Sequence, residues 1–201
     1  MNPNAPAVTT PFLNTVEDVK TNTNMIGICP VQKVNLEDKD GNLVEALAMI
    51  DSGSNSSFLA KSTAKKLGLQ GTRNRLTMNL AGGERKSEQS ELVEVHITPV
   101  SDPHVKKTIN AYTIHQTSSP AKTVSRKAVE AFPHLRDVSK DIHLSGGIID
   151  VLIGTNFPEA FIDAHTITGS NCRSQEPIAK KNIFGWYLLG QFNDESSKTA
   201  Y

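Results

Sequence analysis

Apolar and polar residues alternate in several short stretches of the chain, which is the pattern of β-strands with one buried face. The alternation predicts strands within residues 25–36, 43–50, 75–100 and 106–117. Asp40-Gly41 between the first two predicts a tight hairpin turn. Gly82-Gly83 splits the third stretch into two strands joined by a glycine turn. A proline at position 30 marks the first strand as an edge or bulged strand.

Two segments depart from this alternation. Residues 57–67 carry apolar side chains near helical spacing, and Gly68 follows as a plausible C-cap, so a helix is predicted there. Residues 117–147 break the β pattern, with a short helix predicted within 125–140 that is cut at Pro133. Residues 146–162 predict a buried strand that ends at a glycine, followed by a helical turn. Residues 182–192 predict a last strand.

The pattern predicts one small, mostly antiparallel β domain with short helices. Residues 1–20, rich in Asn, Pro and Thr, are interpreted as a flexible leader, 21–193 as the domain, and 194–201 as a polar tail. The first residues lack the basic and apolar regions of a signal peptide, and no apolar stretch is long enough to span a membrane. We therefore expect a cytoplasmic protein with no membrane partner.

Composition and charge bear on two kinds of function, nucleic-acid binding and metal binding. The 201 residues include 21 Lys+Arg and 21 Asp+Glu, so the formal net charge is zero and a dominant nucleic-acid surface is not expected. The two cysteines and six histidines show no metal-ligand spacing, so no metal site is predicted.

The most informative stretch is Asp51-Ser52-Gly53-Ser54, directly after the apolar strand 43–50. Burial beside a strand raises the pKa of a carboxyl group, which prepares it for acid or base chemistry. Gly53 allows close approach of another chain, and the two serines can tie the turn together. From these residues alone, Asp51 is also compatible with a turn or helix-cap residue, and the stretch also matches a phosphodegron pattern, which the flanking strand and helix disfavour.

The sequence AMIDSGS resembles the first signature of aspartic proteases, and IIDVLIG, ending at Gly154, resembles their second. A hairpin lies between them, where that family keeps its flap. The order and spacing resemble a retropepsin. The sequence HLRDVSKDIHLSGGIIDVLIGTNFPEAF, followed by NIFGWYLLGQF, resembles the protease region of Bel/Pao-type LTR retrotransposon polyproteins, and the resemblance covers roughly residues 24–192. The gap between Asp51 and Gly154 is longer than in compact retropepsins, so the resemblance implies an insertion near 117–147.

The resemblance implies a retropepsin-like closed β fold with one lobe per chain and an aspartic endopeptidase activity on a polyprotein. Because the chain has a single Asp-Ser-Gly, it implies a homodimer that pairs two copies of Asp51. No cofactor is implied. The implied roles are catalysis by Asp51, the active-site turn formed by Ser52, Gly53 and Ser54, substrate binding by Asn55, Gly82 and Gly83, and a structural role for Gly154.

Two points qualify these implications. Asn55 stands where many viral relatives have an aspartate that contacts the substrate backbone. Asp150 lies inside the later strand rather than in a second Asp-Ser-Gly turn, so we expect it to be structural or at the surface. The alternative function is a domesticated retropepsin fold that dimerises or binds peptide without cutting it.

Overall fold

The computed structural model describes residues 8–9, 25–169 and 176–193. The predicted tail, 194–201, and most of the predicted leader lie outside the described residues. Within the leader, Val8–Thr9 forms a short strand. The division into leader, domain and tail stays a prediction.

The described part of the chain is mostly β-structure with short helices, as the sequence predicts. The helices are α1 (Lys61–Leu67) and α2 (Arg126–Glu130), with 3-10 turns at Ala81–Gly83, Pro133–Asp141 and Pro158–Phe161. The strands are β1 (Val8–Thr9), β2 (Met25–Ile28), β3 (Val31–Glu37), β4 (Leu43–Ile50), β5 (Ser57–Ala60), β6 (Thr72–Asn79), β7 (Arg85–Pro99), β8 (Lys107–Ile114), β9 (Val151–Ile153), β10 (His165–Ile167), β11 (Ile178–Asn182) and β12 (Gly185–Asn193). None of the helices in this part of the chain is long and apolar enough to cross a membrane.

Eight strands form the larger sheet, in the order β1-β6-β7-β3-β4-β9-β5-β8. Strand β7 also pairs with β8, so the six strands from β7 to β8 close on themselves. The predicted closed, mostly β fold is therefore confirmed. The smaller sheet has the order β10-β11-β12-β2 and is antiparallel throughout.

Strand β3 shows how alternation builds the core. Its buried positions alternate with half-buried ones, and Val34 and Leu36 have no exposed surface. The predicted turn after it is present, since the Asp38 carboxylate accepts the backbone N–H groups of Asp40 and Asn42 at 2.9 and 2.8 Å. Gly41 takes a positive φ of 85° there, which favours glycine. The β3–β4 hairpin thus places the end of β4 with a fixed register.

The predicted helix over 57–67 is wrong in its first turn. Residues 57–60 form β5, which pairs in parallel with β8 and antiparallel with β9. All four are buried, and a short apolar run covered on both faces cannot be told from a helix face by periodicity. The helix begins at Lys61, and its predicted C-cap, Gly68, has a left-handed φ of 69°.

The predicted last strand, 182–192, also differs in detail. Asn182 ends β11, residues 183–184 form a turn, and β12 begins at Gly185. The short strands β10 and β11 had no clear alternation and were not predicted. The short helix within 125–140 is confirmed as α2, and its buried Val129 packs with Leu188 and Phe192 of β12 in one core cluster.

Candidate active site

Two strands that are distant in sequence end side by side. Strand β9 lies between β4 and β5 and runs parallel to β4, with Ile50 opposite Ile153. The backbone N–H of Asp51 donates to the carbonyl oxygen of Ile153 at 3.0 Å. The turn after β4 and the turn after β9, which begins at Gly154, therefore meet at one edge of the sheet.

The Asp51 carboxyl group is held from one side only. Its Oδ1 accepts the backbone N–H of Gly53 at 2.9 Å, and its carbonyl oxygen accepts the N–H of Ser54 at 3.2 Å. Its Oδ2 is buried and has no hydrogen-bond partner among the described residues. Burial raises the pKa of Asp51 above its usual range, and the Gly53 hydrogen bond opposes part of that rise. A carboxyl group in this setting is suited to holding a proton and releasing it.

Backbone contacts join the two turns tightly. The carbonyl oxygen of buried Ser54 accepts both the backbone N–H and the hydroxyl of Thr155, at 2.8 and 3.1 Å. A Cβ at Gly154 would lie 2.2 Å from the carbonyl oxygen of Ser56, so only glycine fits between the turns. The geometry supports the structural role expected of Gly154.

Side-chain hydrogen bonds also join the two turns, and the residues that form them were not predicted from the sequence. The Ser57 hydroxyl accepts the N–H of Gly154 at 3.1 Å and donates to Oδ1 of Asn156 at 2.8 Å. Ser57 is completely buried, and burying a hydroxyl is costly unless it is hydrogen-bonded. The only signal in the sequence was the pair of polar residues, Thr155 and Asn156, directly after the strand ending at Gly154.

Three of the other residues of the turn are exposed, and a fourth is buried. Ser52, Gly53 and Asn55 are exposed, whereas Ser54 is fully buried and donates its hydroxyl to the carbonyl oxygen of Ser56 at 2.7 Å. Ser54 therefore shapes the turn. The exposed residues around it remain accessible to another molecule.

Gly82 and Gly83 lie at the tip of the hairpin formed by β6 and β7, apart from the Asp51 turn in sequence. Their φ angles are 80° and 83°, and a Cβ at either position would have no neighbour within 4 Å. Further down the same hairpin, buried Leu76 and Met78 share a hydrophobic cluster with Met49, two residues before Asp51. Two side chains of the hairpin thus belong to the same hydrophobic cluster as a residue of β4, the strand before Asp51, while the glycine tip has open space around it.

Asp150 is structural, as its position predicts. Its carboxylate accepts the backbone N–H of Leu47 at 2.9 Å and the hydroxyl of Thr63 at 2.7 Å. Each carboxylate oxygen thus accepts one hydrogen bond, and the two bonds join the segment before β9 to β4 and to α1. Asp150 is therefore not a second copy of the Asp51 arrangement.

A small cavity of about 50 Å³ lies beside the Asp51 strands. Met49, Val31 and Cys29 line one side, and Ala121 and Lys122, from the segment predicted as an insertion, line the other. Burial raises the pKa of the Cys29 thiol, the Lys122 charge opposes this, and the Asp51 charge adds to it. No local sequence pattern indicated this cavity, because it forms between segments about 90 residues apart.

No group of three or more His, Cys, Asp or Glu side chains in the described part of the chain is arranged to hold a metal ion.

Comparison with known proteins gives the family. A family model described as aspartyl protease matches residues 33–157, more than half of the chain, and the match contains both Asp51 and Gly154. No curated protein matches the chain significantly. With the two strand ends joined as described above, this match shows that the chain belongs to the aspartyl protease family.

Proposed function

We propose that the protein is a retropepsin-type aspartic endopeptidase whose active site is completed by a second copy of the chain. The observation that carries the proposal is the Asp51 carboxyl group, held through Oδ1 by Gly53 while Oδ2 is buried without a partner in the described part of the chain. Such a group has one oxygen free to share a proton or to bind water.

The chemistry requires two carboxyl groups with one proton between them. The ionised one takes a proton from water, and the water oxygen attacks the peptide carbonyl carbon. The protonated one donates its proton as the bond to nitrogen breaks. The raised pKa of Asp51 supports this reaction, because a carboxyl group that ionises less readily shares a proton more readily.

The second carboxyl group is proposed to be the partner copy's own aspartate at this position. Asp150 does not suit the role, because both of its oxygens hold hydrogen bonds to Leu47 and Thr63. A two-fold dimer would bring identical turns face to face, and the exposed Ser52 would lie where the turns meet.

We propose further that the substrate is an extended peptide, from a retrotransposon-type polyprotein. The β6–β7 hairpin would close over it, with Gly82 and Gly83 supplying a deformable tip, and exposed Asn55 would contact the substrate backbone. The open space around both glycines supports this role, since a Cβ at either position would have no neighbour within 4 Å.

The test is cleavage of unfolded peptide libraries by the full chain, from mildly acid to neutral pH, beside the Asp51→Asn variant. Cleavage by the wild type and none by the variant supports the proposal. A folded, dimeric wild type that cuts none of the peptides at any pH would overturn it and favour the non-cleaving, peptide-binding alternative.

A further inference from the structure

One face of the β6–β7 hairpin is basic. Residues directly opposite each other in an antiparallel pair share a face, and this register puts three arginines together: Arg73, Arg75 and Arg85. The alternate positions of β6, Leu76 and Met78, are buried in a hydrophobic cluster, so the arginines lie on the outward face. All three arginines are exposed, and 91% of the Arg73 side chain is accessible to solvent.

The basic face continues into an open groove of about 930 Å³ between α1 and the hairpin. Helix α1 contributes Lys61 and Lys65 to the lining of the groove, and the hairpin contributes Arg73. The Nζ of Lys61 donates to the carbonyl oxygen of Gln89 at 2.6 Å, which joins α1 to β7 beside the groove. Cations from two separate elements therefore line one open space.

Two carboxylates lie among these cations without neutralising all of them. Glu88 pairs with Lys61 at 3.3 Å, and Oε1 of Glu91 lies 3.9 Å from Nε of Arg73. In the described part of the chain, no carboxylate forms an ion pair with the remaining three cations, Lys65, Arg75 and Arg85. The chain as a whole has no net formal charge, so this surface is a local excess of positive charge that composition does not show.

The spacing of the cations fits a partner in an extended conformation. Arg73 and Arg75 are two residues apart on β6, so their Cα atoms are about 6.6 Å apart. An extended peptide repeats the side chains of one face at the same interval. A peptide with Asp or Glu at every second position therefore matches both arginines, and arginine forms paired hydrogen bonds with carboxylate groups.

Two other partners fit this surface less well. A nucleic-acid strand carries a phosphate at every nucleotide, and Glu88 and Glu91 would repel it. A second copy of the chain offers three acidic side chains on its β3–β4 hairpin that already pair with lysines of their own chain, Glu37, Asp40 and Glu45. An acidic segment of a different protein is therefore the better match.

We propose that α1 and the outward face of the β6–β7 hairpin form a docking surface for an extended, acidic peptide segment of another protein. The residues that carry it lie outside the Asp51 and Gly154 turns, so binding does not depend on peptide cleavage. Because the charges are exposed, we expect weak binding that is sensitive to salt.

The main experiment measures the fluorescence anisotropy of a labelled octapeptide of alternating Glu and Ser. The protein is the full chain in the Asp51→Asn background, which keeps any cleavage out of the measurement. Arg73→Gln/Arg75→Gln should weaken binding roughly fivefold at about 0.1 M salt, as loss of two exposed ion pairs implies. At about 1 M salt, where the Debye length is about 3 Å, the difference should vanish.

The control variant removes the same charge from another part of the fold. Lys127→Gln/Lys140→Gln changes two exposed lysines in the segment that packs on the smaller sheet. It should bind the peptide within about twofold of the parent chain, because charges more than about 10 Å from the peptide are screened at about 0.1 M salt. An octapeptide of alternating Gln and Ser is the control for the probe, and it should not bind.

A second readout locates the peptide without changing the surface. Acetylation by a small amine-reactive reagent, followed by mass spectrometry, should be slower at Lys61 and Lys65 when the acidic peptide is present. The rates at Lys127 and Lys140 should stay the same.

The outcomes decide between the partners. Equal weakening in the two double variants, or no protection of Lys65, would overturn the proposal. A single-stranded oligonucleotide that binds more tightly than the peptide, and loses binding in the arginine variant, would overturn it in favour of nucleic acid. Weakened peptide binding in Arg73→Gln/Arg75→Gln alone, with protection of Lys61 and Lys65, supports the proposal even if no form of the chain cuts peptide.

Discussion

The backbone N–H of Asp51 donates a 3.0 Å hydrogen bond to the carbonyl oxygen of Ile153, which joins the candidate catalytic residue to a strand about 100 residues later. The position of the carboxyl group is therefore set by β9 as much as by its own strand. Changes in the turn that follows β9 should act on catalysis without touching the aspartate itself.

Gly154→Ala tests this dependence. The added Cβ would lie 2.2 Å from the Ser56 carbonyl oxygen and 2.9 Å from that of Ser54, and backbone atoms cannot move aside cheaply. We expect a loss of about 1–3 kcal/mol in the free energy of unfolding and a large loss of peptide cleavage. Gly27→Ala is the control for stability, since its Cβ meets nothing within 4 Å and should cost less than about 0.5 kcal/mol. Equal stability of the two variants in denaturant titration would contradict the tight approach.

Asp51→Asn should reduce kcat/KM by about 10²–10⁴-fold or more, because the amide keeps the Gly53 hydrogen bond but carries no transferable proton. Circular dichroism should show an unchanged fold. A variant that cuts peptide as fast as the wild type would remove Asp51 from the mechanism.

The same variant should change how stability depends on pH. Burial raises the folded-state pKa of Asp51, so the folded chain holds this proton more strongly than the unfolded chain. The wild type therefore loses stability as pH rises from the unfolded value of about 3.9 through the folded value. Asp51→Asn should melt above the wild type at neutral pH, by about 2–4 °C per kcal/mol relieved, and the difference should vanish in acid. Thermal melts across that range check it.

A Gly82→Val/Gly83→Val variant should lose at least about tenfold in cleavage, because both glycines have positive φ and a β-branched side chain disfavours that backbone. The thermal midpoint should move little, since the exposed tip makes few packing contacts. Gly41→Val is the matched control: its φ is 85° and its surroundings are equally open, but it lies in a different hairpin. Loss of cleavage in both variants alike would mean that the tip has no special role.

Activity per chain should fall on dilution if two copies of Asp51 form the site. Adding an excess of the Asp51→Asn chain to a fixed amount of wild type should also lower cleavage, because mixed dimers contain one ionisable carboxyl group. An equal excess of an unrelated protein is the control. Specific activity that stays constant in a chain shown to be monomeric by ultracentrifugation would rule out the shared site.

Asp150→Ala should destabilise the fold by about 1–3 kcal/mol, because it leaves the Leu47 N–H and the Thr63 hydroxyl without their half-buried acceptor. Asp150→Asn should be much milder, since the amide can still pair with the hydroxyl, and it should keep cleavage activity. Loss of cleavage in a stable Asp150→Asn variant would indicate a catalytic role that its contacts do not support.

Most of the local structure near the site could be predicted from short stretches of the sequence. Alternation placed β3 and β4, Asp40-Gly41 placed their turn, and the sudden change from an apolar run to Asp51 marked this aspartate as the candidate catalytic residue. Gly68 ended α1 as predicted. Alternation, turn residues and a helix C-cap each depend on residues close together in sequence. A short stretch of chain is therefore enough to predict them.

Tertiary structure decided what no short stretch contains. Residues 57–60 became β5 because β8 and β9 cover both of its edges, and the local pattern could not reveal those partners. The Ser57 contact with Asn156, the close approach of Gly154 to Ser56, and the pairing of Val8 with Met78 all join residues about 70–100 positions apart. Contacts at that separation form only when the whole sheet assembles, because each segment gains its partner from the fold and not from its own sequence.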